Sequence, residues 1–161
     1  MAWTVWMDPY DTIGSILDTT YFQPLKFPDN YLLEYMRAWV VFQNAPSFNN
    51  MVMKIYGNDE NAANPTPTTL LATSTNSFDL ADITTEAHGI KELWFKFDSF
   101  HVKQGGFYNF VINATGYSPT PTAFLGLEKA YPNPVQQIGY ITSVINVPNS
   151  PYKFYPVGSK L

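Results

Sequence analysis

The chain has 161 residues, no cysteine and a formal net charge of −4. The missing cysteines exclude a disulfide framework and a thiolate metal centre, and the absence of any basic cluster argues against binding nucleic acid by phosphate neutralisation. Aromatic residues reach 17% and charged residues only 14%, against about 25% charged in an average protein, a balance that suits a sheet protein with much of its surface in contact. The length fits one domain with its own core. No apolar run approaches the roughly 18 residues of a membrane span. The opening MAWTVWMDPY has no basic segment followed by an apolar stretch, so it does not read as a secretory signal, and synthesis in a cytoplasm is expected.

Residues 1–30 hold Trp3, Trp6, Tyr10, Tyr21, Phe22 and Phe27, too many aromatics for a solvated tail. They read as an arm packed on the domain or on a neighbouring subunit, followed by a domain over residues 31–161. Within the arm, residues 11–17 offer at most one helical turn, weakened by Gly14, and residues 20–25 read as a first short strand. Residues 31–42 (YLLEYMRAWVVF) place Leu33, Tyr35, Arg37, Trp39 and Val41 on one face and Leu32, Glu34, Met36, Ala38, Val40 and Phe42 on the other. Helical spacing fits part of this run, but its β-branched and aromatic end before Asn44-Ala45-Pro46 favours a strand. Residues 50–56 form a clearer strand, residues 57–68 (GNDENAANPTPT) a surface loop, and residues 70–75 a short strand. Residues 78–88 read as a crossing from one sheet to the other.

Residues 91–115 (KELWFKFDSFHVKQGGFYNFVINAT) are the centre of the pattern. Leu93, Phe95 and Phe97 alternate with Trp94, Lys96 and Asp98, and Tyr108, Phe110 and Ile112 alternate with Phe107, Asn109 and Val111. With Gln104-Gly105-Gly106 between them, the two halves read as a long β-hairpin. Residues 123–129, 138–147 and 152–157 complete a set of about eight strands, with Pro156 placing the last at an edge or a strand end. Many short strands, proline-rich loops and no long helix predict an all-β antiparallel sandwich.

The residues offer little chemistry. His88 and His101 are the only histidines, and Asp98 and His101, three apart on a strand, point to opposite faces. No nucleophile or zinc motif accompanies them. Asn58, Asp59 and Asn61 lack the spacing of a calcium loop. A glycosidase needs two carboxylates across a cleft, which periodicity cannot place. Neither catalytic residues, cofactor nor metal site is expected, and the Asn113-Ala114-Thr115 sequon is a weak match.

Two stretches carry a resemblance. One runs from Ile55-Tyr56 through Gly57-Asn58-Asp59 and Pro65-Thr66-Pro67 to Leu70-Leu71-Ala72-Thr73-Ser74. The other is Trp94-Phe95-Lys96-Phe97, Phe100-His101-Val102, Gly105 and Tyr108-Asn109-Phe110-Val111-Ile112. Together they resemble the jelly-roll β-sandwich modules that recur in phage virion proteins and in secreted bacterial proteins. The matching residues are core and turn positions, which speak to fold. The resemblance implies a jelly-roll-like sandwich serving as a structural part of a virion or as a sugar-binding domain. Those modules usually sit inside longer chains, so a free-standing one is expected to be a capsid decoration (cement) or tail protein. Its partners would be the major capsid protein or other virion subunits and further copies of itself, a trimer being favoured. Trp3, Trp6, Tyr10, Tyr152, Phe154 and Tyr155 are the expected contact residues, because interfaces are rich in aromatics and poor in charge. The alternative is a carbohydrate-binding module that stacks sugar rings on loop tyrosines, with Tyr117, Tyr131 and Tyr140 as candidates.

Overall fold

The computed structural model describes residues 4–6, 23–27, 29–58, 67–118, 120, 122–127, 129–131, 141–142 and 154–161. The strands are β1 (Thr4–Trp6), β2 (Gln23–Lys26), β3 (Tyr31–Gln43), β4 (Asn49–Asn58), β5 (Pro67–Thr73), β6 (His88–Val102), β7 (Phe107–Thr115), β8 (Phe124–Leu127), β9 (Lys129–Tyr131), β10 (Ile141–Thr142) and β11 (Phe154–Lys160). One helical turn, α1 (Leu80–Ile83), lies between β5 and β6.

One sheet has the order β10-β2-β7-β4-β5. In the other, β3 lies between β6 and a divided flank: β11 pairs with the first part of β3, from Tyr31 to Ala38, and β8 pairs with Val40 to Gln43. A small β1-β9 ladder stands apart from both, and β9 follows directly on β8. The order β2-β7-β4-β5 facing β8-β3-β6 is that of a jelly roll. All the ladders are antiparallel. β2 is a member of the larger sheet and Phe27 is 1% exposed. The sandwich therefore begins before residue 31 and takes in the end of the stretch assigned to the arm.

The expected hairpin over residues 91–115 does not form. β6 belongs to one sheet and β7 to the other, so residues 103–106 make an arch across the edge of the sandwich. Period-two alternation places Leu93, Phe95 and Phe97 of β6 inward, and they are nearly inaccessible; in β7 Phe110 and Ile112 are buried as well, but so are the alternate residues Asn109 and Val111. Alternation says nothing about which strand lies alongside. In a hairpin these aromatics would lie side by side on one sheet face and still need a cover. In the arch they cover each other. Gly105, at φ 75°, makes the reversal, and its N–H donates to the carbonyl of Phe27 at 2.9 Å. The Gln104 N–H donates to Asn30 Oδ1 at 3.0 Å, and the Lys103 N–H to the Tyr108 hydroxyl at 2.8 Å.

β3 departs from strict alternation once. Leu33 pairs with Phe100 and Tyr35 with Lys96, so the ladder is irregular between them, and Ser99 on the opposite strand has φ 47°. The irregularity shifts the phase by one residue. Leu33 thus joins Met36, Ala38, Val40 and Phe42 in the core, instead of sharing the outer face with Tyr35 and Arg37.

The crossing predicted for residues 78–88 is present and starts a little earlier. The Ser74 hydroxyl accepts from the Met53 N–H and donates to the Asn76 carbonyl, both at 3.0 Å. Asn76 then serves as a substitute strand against the open edge of β6. Its Nδ2 donates to the Trp94 carbonyl and its Oδ1 accepts from the Lys96 N–H, each at 2.8 Å, while the Thr75 N–H donates to the Lys96 carbonyl at 2.7 Å. Replacing Asn76 by alanine removes two of these bonds. The expected result is a loss of about 1–2 kcal/mol in urea denaturation and faster amide exchange at Lys96, with β3 and β7 unaffected.

Candidate binding face

Outward-facing residues of β3, β6 and β11 meet on the outer surface of the smaller sheet. On β3 these are Tyr35, Arg37, Trp39 and Val41; on β6, Ile90, Glu92, Trp94, Lys96 and Asp98; on β11, Tyr155 and Val157. The ladder registers place Arg37 directly between Trp94 on one side and Tyr155 on the other, with Trp39 opposite Glu92. Arg37 is the hub. Its guanidinium carbon lies 4.9 Å from the Trp94 ring centre, 5.1 Å from Trp39 and 5.8 Å from Tyr155. The rings also meet in edge-to-face pairs along the diagonals, Tyr35 with Trp94 at 5.6 Å and Trp39 with Tyr155 at 5.2 Å.

Glu92 closes the arrangement. One carboxylate oxygen accepts from Arg37 Nε at 2.7 Å and from Trp94 Nε1 at 2.8 Å. The pair is about one-third exposed, so as an ion pair it is worth little, about 0–1 kcal/mol. Each edge-to-face pair adds about 0.5–1.5 kcal/mol and each cation–π contact about 0.5–1 kcal/mol. Together they fix the side chains before any ligand arrives, which lowers the ordering cost of binding. Trp94 remains 42% exposed and Ile90, at the end of the same row, 48%. The result is a flat, preordered aromatic surface whose central charge is neutralised from within.

Of the contact residues expected from the sequence, Phe154 and Tyr155 have described side chains, and Tyr155 reaches this face. Phe154, its neighbour, turns inward and is 1% exposed, so it belongs to the core and has no surface to offer a partner. Trp3, Tyr10 and Tyr152 lie outside the described residues, and Trp6 is described only as a backbone position in β1. The loop tyrosines fare similarly. Tyr117 is buried, its hydroxyl donating to the Leu125 carbonyl and accepting from the Leu125 N–H, so its ring cannot carry a sugar. Tyr131 is described only as a strand position in β9, and Tyr140 lies outside the described residues. Asp59 and Asn61 lie outside them as well.

Sequence reasoning grouped Tyr35, Arg37 and Trp39 on one face, and Trp94 with Lys96 on another, but did not single them out. Their meeting depends on the pairing of β3 with β6, far apart in sequence, which alternation does not reveal. Among the described residues no three or more His, Asp or Glu side chains gather where they could hold a metal ion. His88 and His101 sit at opposite ends of β6, paired with Gln43 and Leu32. No helix among the described residues is long and apolar enough to cross a membrane. No protein-family model, curated protein or solved structure matches the chain.

Proposed function

We propose that this chain is a non-catalytic assembly module that binds protein subunits through the outer face of its smaller sheet. The observation that carries the reading is the Arg37 cluster. Tryptophan, tyrosine and arginine are the residues that dominate protein–protein binding energy, most of all when ordered at the centre of a patch. Here three aromatic rings lie around one arginine, and a fourth, Tyr35, packs edge-to-face on Trp94. The Arg37–Glu92 pair leaves the centre without net charge, which suits an uncharged protein surface better than a phosphate or carboxylate ligand. The virion setting, with the chain as a capsid decoration or tail protein, is supported by the jelly-roll resemblance of its core and turn residues.

The test places a photo-cross-linking phenylalanine analogue at position 35, at the margin of the cluster, in cells that produce the protein. Cross-links to protein that disappear in an Arg37→Ala background are the expected result. A glycan array run in parallel supplies the opposing outcome. No cross-links to protein, together with glycans that wild type retains and Trp94→Ala loses, would turn the face into a sugar platform and end the assembly reading. Arg37 and Trp94 both point away from the core, so their alanine variants are expected to stay folded, with a loss of about 1–3 kcal/mol for the ring and cation contacts removed.

A further inference from the structure

Resting on that reading, we infer that the occupant of this face is a second copy of the same chain, related by a twofold axis passing beside Trp94. The inference comes from the outward row of β6. Read along the strand it is Ile90, Glu92, Trp94, Lys96, Asp98. Alternate residues on a strand are about 6.7 Å apart, so Glu92 and Lys96 flank Trp94 at equal distances with opposite charges. A twofold axis at Trp94 turns the row end for end. It sets Lys96 across from Glu92 of the second copy, Glu92 across from the second Lys96, tryptophan against tryptophan, and at the two margins Asp98 across from Ile90.

An isologous interface requires this kind of self-complementarity, since each residue meets its counterpart's mirror position. A row with two acids or two bases about the centre would repel itself. The rest of the face agrees. Lys96 is exposed, Arg37 and Glu92 are already paired with each other, Trp39, Tyr35, Tyr155, Val41 and Ile90 bring no charge, and the one further acid of the row, Asp98, stands at its margin beyond Lys96. Sheets that pack face to face keep their strands within about 30° of alignment, at about 10 Å separation. That gap accommodates interdigitated tryptophans and lets a lysine reach the carboxylate opposite. A dimer built this way leaves two equivalent outer surfaces, which is what bridging two subunits of a lattice needs. It also replaces the expected trimer with a twofold assembly.

Sedimentation equilibrium of the purified full chain over a concentration series tests this. Wild type is expected to reach twice its 18.2 kDa mass. Lys96→Glu sets two carboxylates against each other at both ends of the axis and is expected to weaken association at least tenfold. Lys96→Gln, which removes charge without adding repulsion, should weaken it less, and high salt should narrow the gap between the two. A dimer indifferent to Lys96→Glu and to Trp94→Ala would use another surface, and the inference would fail. A monomer across the series that still gives Arg37-dependent cross-links to a different protein overturns the twofold pairing and leaves the binding face standing. A monomer without such cross-links overturns both.

Discussion

Tyr117→Phe is expected to destabilise the sandwich by about 2–4 kcal/mol, although it removes a single oxygen atom. The Tyr117 hydroxyl is the partner of both backbone polar groups of Leu125. It donates to the Leu125 carbonyl at 3.0 Å and accepts from the Leu125 N–H at 2.7 Å. Leu125 is 0% exposed and Tyr117 5%, so water cannot replace either bond. Phenylalanine keeps the ring and its edge-to-face contact with Phe48 but leaves a buried N–H and a buried C=O without partners. Each such group costs about 1–3 kcal/mol. Urea denaturation measures the loss, and a variant as stable as wild type would show that Leu125 finds other partners.

The same hydroxyl gives the protein an alkaline limit. Burial raises the Tyr117 pKa from 10.0 to about 12, the hydrogen bond from the Leu125 backbone offsetting part of the rise. In this window the unfolded chain has released the phenolic proton while the folded chain still holds it. The unfolded state therefore binds fewer protons, and stability falls as pH rises. The contribution is complete below pH 10 and is lost progressively towards pH 12. Tyr117→Phe has no proton to lose there, so its stability should fall less steeply between these values than that of wild type. An equal slope in both proteins would assign the alkaline limit to other groups.

How much of this was legible beforehand depends on the reach of each signal. Inward and outward positions are local, and Leu93, Phe95 and Phe97 are buried as their alternation predicts. Pro156 marks β11 as a flanking strand, and among the described strands β11 pairs with β3 and stands at the end of the sheet order. Sheet membership is not local. Gly105 allows a reversal equally well in a hairpin or an arch, and the choice between them is made by what covers Phe95 and Phe110 from across the core. One residue out of phase escapes notice in the same way. The shift between Leu33 and Tyr35 is set by the opposite strand, where Ser99 takes φ 47°. The binding face is the extreme case. Its members come from β3, β6 and β11, and each alone is an unremarked outward residue. The high aromatic and low charged content pointed to a surface in contact without locating it, and Tyr155, one of the expected contact residues, lies on this face.

Gly158→Ala is expected to cost about 3 kcal/mol, at the upper end of overpacking substitutions, and to separate stability from binding in an instructive way. β11 runs along β3 with an irregularity between Val157 and Gly158, where its backbone comes unusually close to its neighbour. A Cβ on Gly158 would lie 1.9 Å from the Leu32 carbonyl oxygen and 3.0 Å from its carbon. That oxygen belongs to the backbone of β3, which is paired with β6 on its other side through Leu32 and His101, so it has little room to yield. The strand that must move is β11. Its departure would draw Phe154 from the core and Tyr155 from beside Trp39, while the exposed Lys160–Asp29 ion pair, 3.2 Å apart, is too weak to hold the end in place. Gly158→Ala should therefore lower the unfolding midpoint and speed amide exchange in β11 and the facing part of β3. It should also weaken association through the aromatic face. Trp94→Ala should weaken association with a smaller loss of the midpoint and with amide exchange in β11 as in wild type. If Gly158→Ala instead left both properties as in wild type, β11 would not be held in the observed register, and Tyr155 would have no fixed place against Arg37. If it lowered stability but spared association, the face would depend on Trp94 and Arg37 without Tyr155, and its boundary would fall at β3.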